Sequence, residues 1–375
     1  MESIEILRPR LRGARFEHGA VPLSVLRDVA VLEEMLVELT KHQYRQANPQ
    51  RQRLPRGFLD GVEVRLVGIE DGSAVLRLLL CVSTSVLPTL HPVFQYAEQA
   101  QQSLVEVIDG AGRGQIDTGA FPPAALAYFD RFGRSLRADE AIDLETPRGA
   151  TARLTQATRR ALVLAAPGAQ AVTELERIRG LVPEADQNRN SFEVLLGDGH
   201  RVKVPLAPEH RDVVLEAFRG YRDGAKVLVE GTGKRDRNRV LRGLESVEHI
   251  SLLDPLDIDA RLDELASLRD GWYDGRGMAY QPADLVWLRE ALAGPYPDQL
   301  PLPRLYPTVE GGVLAEWSQP PFDASLEVAL ATRRGCWHAL NLETDEAQTR
   351  VLDLASDQAW LEVYQLVAGL GGVPS

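Results

Sequence analysis

Cysteine is almost absent from this chain: Cys81 and Cys336 are the two it has in 375 residues. They are far apart, each inside an apolar, strand-like run. That excludes a disulfide framework and reads as two buried thiols in a reducing compartment. No Cys–His cluster has the spacing of a zinc site. Long apolar runs are missing too, and none approaches the roughly 18 residues that span a bilayer. The start, Met1-Glu2-Ser3-Ile4-Glu5, lacks the basic-then-apolar pattern of a secretory signal. The expected location is therefore cytoplasmic, with no membrane partner. Positive charge is in deficit, 42 Lys and Arg against 54 Asp and Glu, for a net charge of −12. A whole surface of that sign is not a nucleic-acid or anionic-membrane binder.

What is present is an ordinary globular composition, 44% hydrophobic and 26% charged, over a length that suits two or three domains. The expected fold class is α+β in three domains, 1–165, 170–252 and 255–375. In the first, Val25, Val29, Leu32, Leu36 and Leu39 are spaced as the buried stripe of a helix packed on a sheet. Residues 62–67 and 74–79 flank Asp71-Gly72 as a hairpin, because glycine supplies the positive φ of a tight turn. Helices follow at about 93–108 and 122–132. Gly110-Ala111-Gly112-Arg113-Gly114 is expected to be a loop, since it follows a helical stretch and cannot be a dinucleotide fingerprint. Ala165-Ala166-Pro167-Gly168-Ala169 then breaks both helix and strand.

The middle segment reads strand, strand, strand, helix, strand, strand, at about 174–182, 191–196, 200–205, 208–219, 226–231 and 240–250. That order fits a five-stranded OB-like barrel, with an SH3-like barrel as the alternative; such barrels work by binding through one face and two loops. In the last domain two helices around 258–268 and 285–292 flank Gly271-Trp272-Tyr273-Asp274-Gly275-Arg276-Gly277. A proline-rich connector, 295–307, leads to three strands near 312–317, 324–330 and 337–342 and a final helix at 357–368.

Signals for chemistry are sparse. Gly231-Thr232-Gly233-Lys234 is not a phosphate loop: its earlier glycine would fall at Leu228, and Arg235 replaces the metal-binding Ser or Thr. Asp254, Asp257, Asp259 and Asp263 read as capping residues at a helix start. A carboxylate-dependent hydrolase or nuclease, the third functional option, would draw on Asp254, Asp257, Asp259 and Glu316. No catalytic residue, metal ligand or cofactor is assigned.

The candidate binding residues are Arg189, in the loop after the first barrel strand, and Lys234, Arg235, Arg237 and Arg239, between the fourth and fifth. OB topology places those loops on one side of the barrel. Residues 226–243 carry six cations, Lys226, Lys234, Arg235, Arg237, Arg239 and Arg242, against Glu230 and Asp236, a local +4 in an acidic chain. The barrel strands offer little for base stacking besides Phe192, so a nucleic acid is the second candidate partner and a protein the first.

Residues 268–277, then Leu302-Pro303-Arg304-Leu305-Tyr306-Pro307-Thr308, then Gly311-Gly312-Val313-Leu314-Ala315-Glu316-Trp317, resemble a short domain of uncharacterised bacterial proteins. Its marks are a Gly-Trp-Asp-Gly-like loop and a Gly-Gly-x-x-x-Glu-Trp strand; here Tyr273 interrupts the Trp-Asp pair. Such proteins often sit near toxin–antitoxin or phage-defence genes. With the barrel order, the basic loop pair and no assembled active site, the expected function is a non-enzymatic, antitoxin-like or defence-associated accessory subunit that binds a protein encoded nearby.

Overall fold

In the computed structural model the stripe of residues 25–39 is the inner face of a 25-residue helix, α1 (Leu23–Ala47), with Val31 and Met35 buried beside it. The structure describes residues 2–51, 53–55, 58–59, 62–70, 74–82, 93–116, 121–293 and 295–371. The Asp71-Gly72 turn lies outside them. The fold is mixed α+β with antiparallel sheets. The backbone divides into two compact units, Met1–Glu176 with Gly231–Glu245, and Arg177–Glu230 with Ser246–Ser375.

The first unit is built on strands β1 (Glu2–Leu7), β2 (Arg10–Arg12), β3 (Val62–Glu70), β4 (Val75–Val82), β5 (Ala141–Glu145) and β6 (Thr151–Thr155). Their order is β1-β4-β2-β5-β6, with β3 paired to β4. Helices α1, α2 (Val93–Gly112) and α3 (Gln156–Ala165) share one buried core with this sheet. The glycine stretch expected as a loop is partly helical: α2 continues through Gly110, Ala111 and Gly112. Glycine is needed at 110 for a packing reason. The Gln115 N–H donates to the Gly110 carbonyl at 2.8 Å, and a Cβ on Gly110 would lie 2.4 Å from the Gln115 carbonyl oxygen.

Five strands form a closed sheet: β7 (Ala171–Asp186), β8 (Ser191–Leu195), β9 (Arg201–Pro205), β10 (Lys226–Asp236) and β11 (Leu241–Leu252). Their order is β10-β11-β9-β8-β7, closing on itself, and α4 (Arg211–Arg219) comes between β9 and β10 in the chain. Alternation along the strands buries Phe192, Val194, Val202, Val204, Val227 and Val229. Gly180 packs against the backbone of β8, where any side chain would meet the Leu195 carbonyl oxygen at 2.3 Å.

The rest of the second unit is a sheet, β12 (Arg304–Pro307), β13 (Val313–Gln319), β14 (Phe322–Ala329), β15 (Arg334–Asn341) and β16 (Ala347–Asp353), antiparallel and in sequential order. One face packs on helices α5 (Ile258–Ala266), α6 (Pro282–Leu288) and α7 (Asp357–Leu370). β12 falls in the segment expected to be a connector, and β16 follows the last expected strand. In the core, the Trp317 indole donates to the Tyr296 hydroxyl at 3.1 Å and the Pro301 carbonyl at 3.0 Å, and that of Trp360 to the Leu354 carbonyl at 3.0 Å. Trp337 is just as buried, yet its Nε1 has no acceptor among the described residues. A buried donor left unpaired costs about 1–3 kcal/mol. Cys81 is buried, as its apolar run suggests, but Cys336 is exposed. β15 alternates, and the even positions Arg334, Cys336 and His338 take the outer face while Trp337 and Ala339 take the core.

The charged groups buried in the first unit include Asp28, Glu140 and Arg159. Asp28, on α1, accepts from both the N–H and the hydroxyl of Ser135 at 2.7 Å. Burial raises its pKa, against those two hydrogen bonds. Arg159 donates to the carbonyls of Asp130 and Thr173, each at 2.7 Å, and burial pushes its pKa down to about 10. The folded protein holds the Asp28 proton more tightly than the unfolded chain does. The group thus contributes nothing below its ordinary value of 3.8 and costs stability as pH rises from there through its raised value. Asp28→Asn is expected to match wild type near pH 3.5 and to become the more stable protein toward neutrality, as read from urea unfolding at a series of pH values.

Candidate functional site

The turn between β10 and β11 is built around Asp236. Its Oδ1 accepts from the Asn238 N–H at 2.8 Å and the Val240 N–H at 3.0 Å, and its Oδ2 accepts from Arg242 Nε at 2.8 Å. Slight desolvation opposes it, but Arg242 and the two backbone N–H groups hold the carboxyl below the usual aspartate range. Arg239 closes the turn at φ 63°, in the left-handed region. The turn after β7 uses the same device: Asp186 Oδ1 accepts from the N–H groups of Asn188 and Arg189 at 2.9 and 3.0 Å, with Asn190 at φ 47°.

Most of the cations of the basic run are already engaged. Lys226 pairs with Glu264, Lys234 with Glu245 and Arg242 with Asp236. Arg235 holds Glu176 through two parallel bonds, Nε to Oε1 at 2.5 Å and Nη2 to Oε2 at 2.7 Å, and donates from Nη1 to the Arg239 carbonyl at 2.8 Å. The Glu176 hydrogen bonds raise its pKa. Arg237 donates to the Ala169 carbonyl at 3.2 Å. Arg189 lies 3.5 Å from Asp186 and belongs to the second unit, whereas Lys234, Arg235, Arg237 and Arg239 belong to the first. The +4 counted along the sequence is thus largely neutralised by carboxylates of the fold.

Arg239 differs: its guanidinium has no partner among the described residues. With Arg235 it lines a cleft of about 660 Å³ in the first unit, together with Arg160, Glu174, Leu175 and the first turn of α3. That turn is capped by Thr155, whose side chain accepts from the Thr158 N–H. Arg160 is 11% exposed; its Nη2 donates to the Asp236 carbonyl. Its Nη1 is 3.7 Å from Glu174, close enough for attraction and too far for a hydrogen bond, and finds no other acceptor among the described residues. Leu175 is 42% exposed. Arg239 and the first turn of α3, the positive end of that helix, line the cleft together, whereas Arg160 Nη1 is shielded from solvent. Arg160, Glu174 and Glu176 escape notice in the sequence because they lie outside the basic run; the Thr155 cap before Leu162 and Val163 is the faint signal for their helix.

Of the carboxylates considered for a hydrolase, Asp254, Asp257 and Asp259 have structural partners, while Glu316 is exposed on β13. Asp254 Oδ1 accepts from the Leu256 N–H at 2.8 Å, and Asp257 caps α5 through the Ala260 N–H at 2.7 Å. Asp259 and Asp263 are bridged twice. Arg179 lies 2.8 Å from Asp259 and 3.3 Å from Asp263, and Arg289 lies 3.0 Å from Asp259 and bonds Asp263 from its other nitrogen. Among the described residues no group of three or more His, Cys, Asp or Glu is placed to hold a metal ion. No helix among them is long and apolar enough to cross a membrane.

These roles separate two neighbouring arginines by stability. Arg235→Met strands a Glu176 that is 8% exposed and releases the Arg239 carbonyl, an expected loss of about 1–3 kcal/mol in urea unfolding. Arg239→Met removes no brace and is expected to stay within about 0.5 kcal/mol of wild type. No protein-family model matches this chain, nor does any curated protein or solved structure.

Proposed function

We propose that this chain is a non-enzymatic binding subunit that engages another protein, with the cleft at the start of α3 as its contact. The observation that carries this reading is the mixed lining of the cleft. Arg239 offers unused donors beside Glu174 and the exposed Leu175. A phosphodiester backbone brought there would meet Glu174 and Glu176 as well as the arginines. A protein segment with an acidic side chain next to an apolar one satisfies both kinds of wall, and Arg is a favoured residue at such contacts.

The proposed architecture is three domains, 1–165, 170–252 and 255–375, with the central one OB-like. In its favour, the closed sheet has its strands in the order first, second, third, fifth, fourth, with α4 between the third and fourth in the chain. The likeness of residues 268–317 to proteins encoded near toxin–antitoxin and phage-defence genes makes the partner a product of a neighbouring gene.

The test is co-expression with each adjacent gene product, followed by calorimetry on the purified pair. One stable complex is expected, with Arg239→Glu weakening it about tenfold or more. If no neighbour's product binds, or if Arg239→Glu binds as wild type does, the reading is wrong. Binding to single-stranded DNA with a log–log salt slope of about −3 or steeper would instead move the function to a nucleic acid.

A further inference from the structure

We infer that the open face of the first unit's sheet, where Arg10, Arg12 and Arg153 gather around a single aspartate, is a binding site for a compact dianionic phosphate group. The site is independent of the cleft at α3 and does not rest on the function proposed for it.

Its origin is strand alternation. Along β2, β5 and β6 the core takes Leu11, Ile142, Leu144, Ala152 and Leu154, so Arg10, Arg12, Asp143 and Arg153 belong to the opposite face. Register then sets them side by side: Arg10 stands opposite Asp143, and Asp143 opposite Arg153. Side chains paired in this way have Cβ atoms about 4.5–5.5 Å apart. They line a cleft of about 440 Å³ together with Arg8, Asp109, Glu145 and Thr151. That volume suits a phosphate group with a short organic body.

The charge balance inside the cleft points to the ligand. Asp143 accepts from Arg12 Nε at 2.9 Å and from Arg153 Nε and Nη2 at 2.7 and 3.1 Å. Desolvation opposes it, yet the two arginines hold its carboxyl below the usual aspartate range. Both of its oxygens are thereby spent. The exposed Arg10 guanidinium is left without a partner among the described residues, and Arg12 still has Nη1 and Nη2 to offer. Elsewhere the fold matches its charges: Arg179 and Arg289 meet Asp259 and Asp263, and Arg235 meets Glu176. Here three arginines share one aspartate. The other carboxylates of the lining do not serve them, since Asp109 is held by Arg113 and Glu145 has no side-chain partner among the described residues. Arg8 has its own partner in Glu5, Nη2 to Oε2 at 3.1 Å. Like charges side by side on a sheet are mutually destabilising. A dianion relieves two of them at once, where a carboxylate relieves one. Phosphate oxygens also match the planar fork of arginine. A nucleic-acid backbone fits less well: each diester carries a single charge, and its length would extend over an acidic surface.

Phenyl phosphate and inorganic phosphate are the probes, each titrated calorimetrically into the full chain at pH 8 and low salt. Saturable binding at one site is expected. For phenyl phosphate it is expected to weaken about fivefold or more at pH 5, where a phosphate ester, with a second pKa of about 6, has lost most of its second charge and the arginines keep theirs. Arg10→Met removes the side chain that the fold leaves unpaired; it is expected to weaken binding at least tenfold and to leave the melting temperature of the free protein unchanged. Glu145→Gln takes a carboxylate out of the lining and is expected to tighten binding about threefold. Tighter binding of phenyl phosphate than of inorganic phosphate assigns the site to a phosphorylated small molecule, and binding of inorganic phosphate at least as tight assigns it to the free ion. The assignment is overturned if neither probe saturates, if Arg10→Met binds as wild type does, if benzoate, an aromatic monoanion, binds as tightly as phenyl phosphate, or if affinity is the same at pH 5 and pH 8.

Discussion

Asp236 organises the part of the molecule on which any functional reading of the basic run depends. Its carboxylate ties down two backbone N–H groups and Arg242, and its carbonyl takes Arg160 from α3. Arg235 then closes the arrangement by holding the Arg239 carbonyl with one nitrogen and Glu176 with two others. Arginine suits this work because its planar fork can donate in several directions at once. The consequence is that cations which look like a polyanion patch in the sequence act mainly as braces for their own hairpin, and the chain's acidic excess supplies their partners.

The second unit repeats the principle with different geometry. Asp259 and Asp263, one turn apart on α5, would repel each other if left alone. Arg179 from β7 and Arg289 beyond α6 each reach both carboxylates. Lys226 and Arg261 similarly share Glu264, holding its carboxyl below the usual range against the opposing effect of burial. An acidic cluster that could be mistaken for a metal site is here an ion-pair lattice. It fastens strands of the closed sheet to α5 inside one unit, where partial burial makes the pairs worth more than isolated surface pairs.

The parts of the fold legible in the sequence were those with one buried side and a clean period. α1, the β3–β4 pair, the strand–helix–strand order of the middle segment and α7 all show it. The missed elements have none. β16, Ala-Gln-Thr-Arg-Val-Leu-Asp, is an edge strand with Leu352 as its one buried residue, so it carries no alternation to detect. β12 is four residues long and flanked by prolines, and its strand character comes from pairing with β13. β5 and β6 are five residues each, and what identifies them is their mutual register, not local propensity. For the cleft, the cations were visible as a run, but their partners were not. Glu176 lies 59 residues from Arg235, and nothing local in either segment points to the other.

The same accounting sets Arg239 apart from its neighbours. A non-glycine residue in the left-handed region costs roughly 1–2 kcal/mol, and here the strain is offset by the Asp236 turn that holds the backbone in place. The side chain therefore leaves from a fixed point but has nothing to hold. Its neighbours in the basic run have spent their charge on the fold, so neutralising them threatens the hairpin. Arg239 retains its charge, and a group whose base is already immobilised loses less freedom when a partner arrives. Set beside Glu174, it gives the cleft walls of both charges, the lining that the proposed protein partner would meet. In a chain of net charge −12, a contact of that kind has to be built from a few unspent donors at a defined place, because the overall field repels any extended anion.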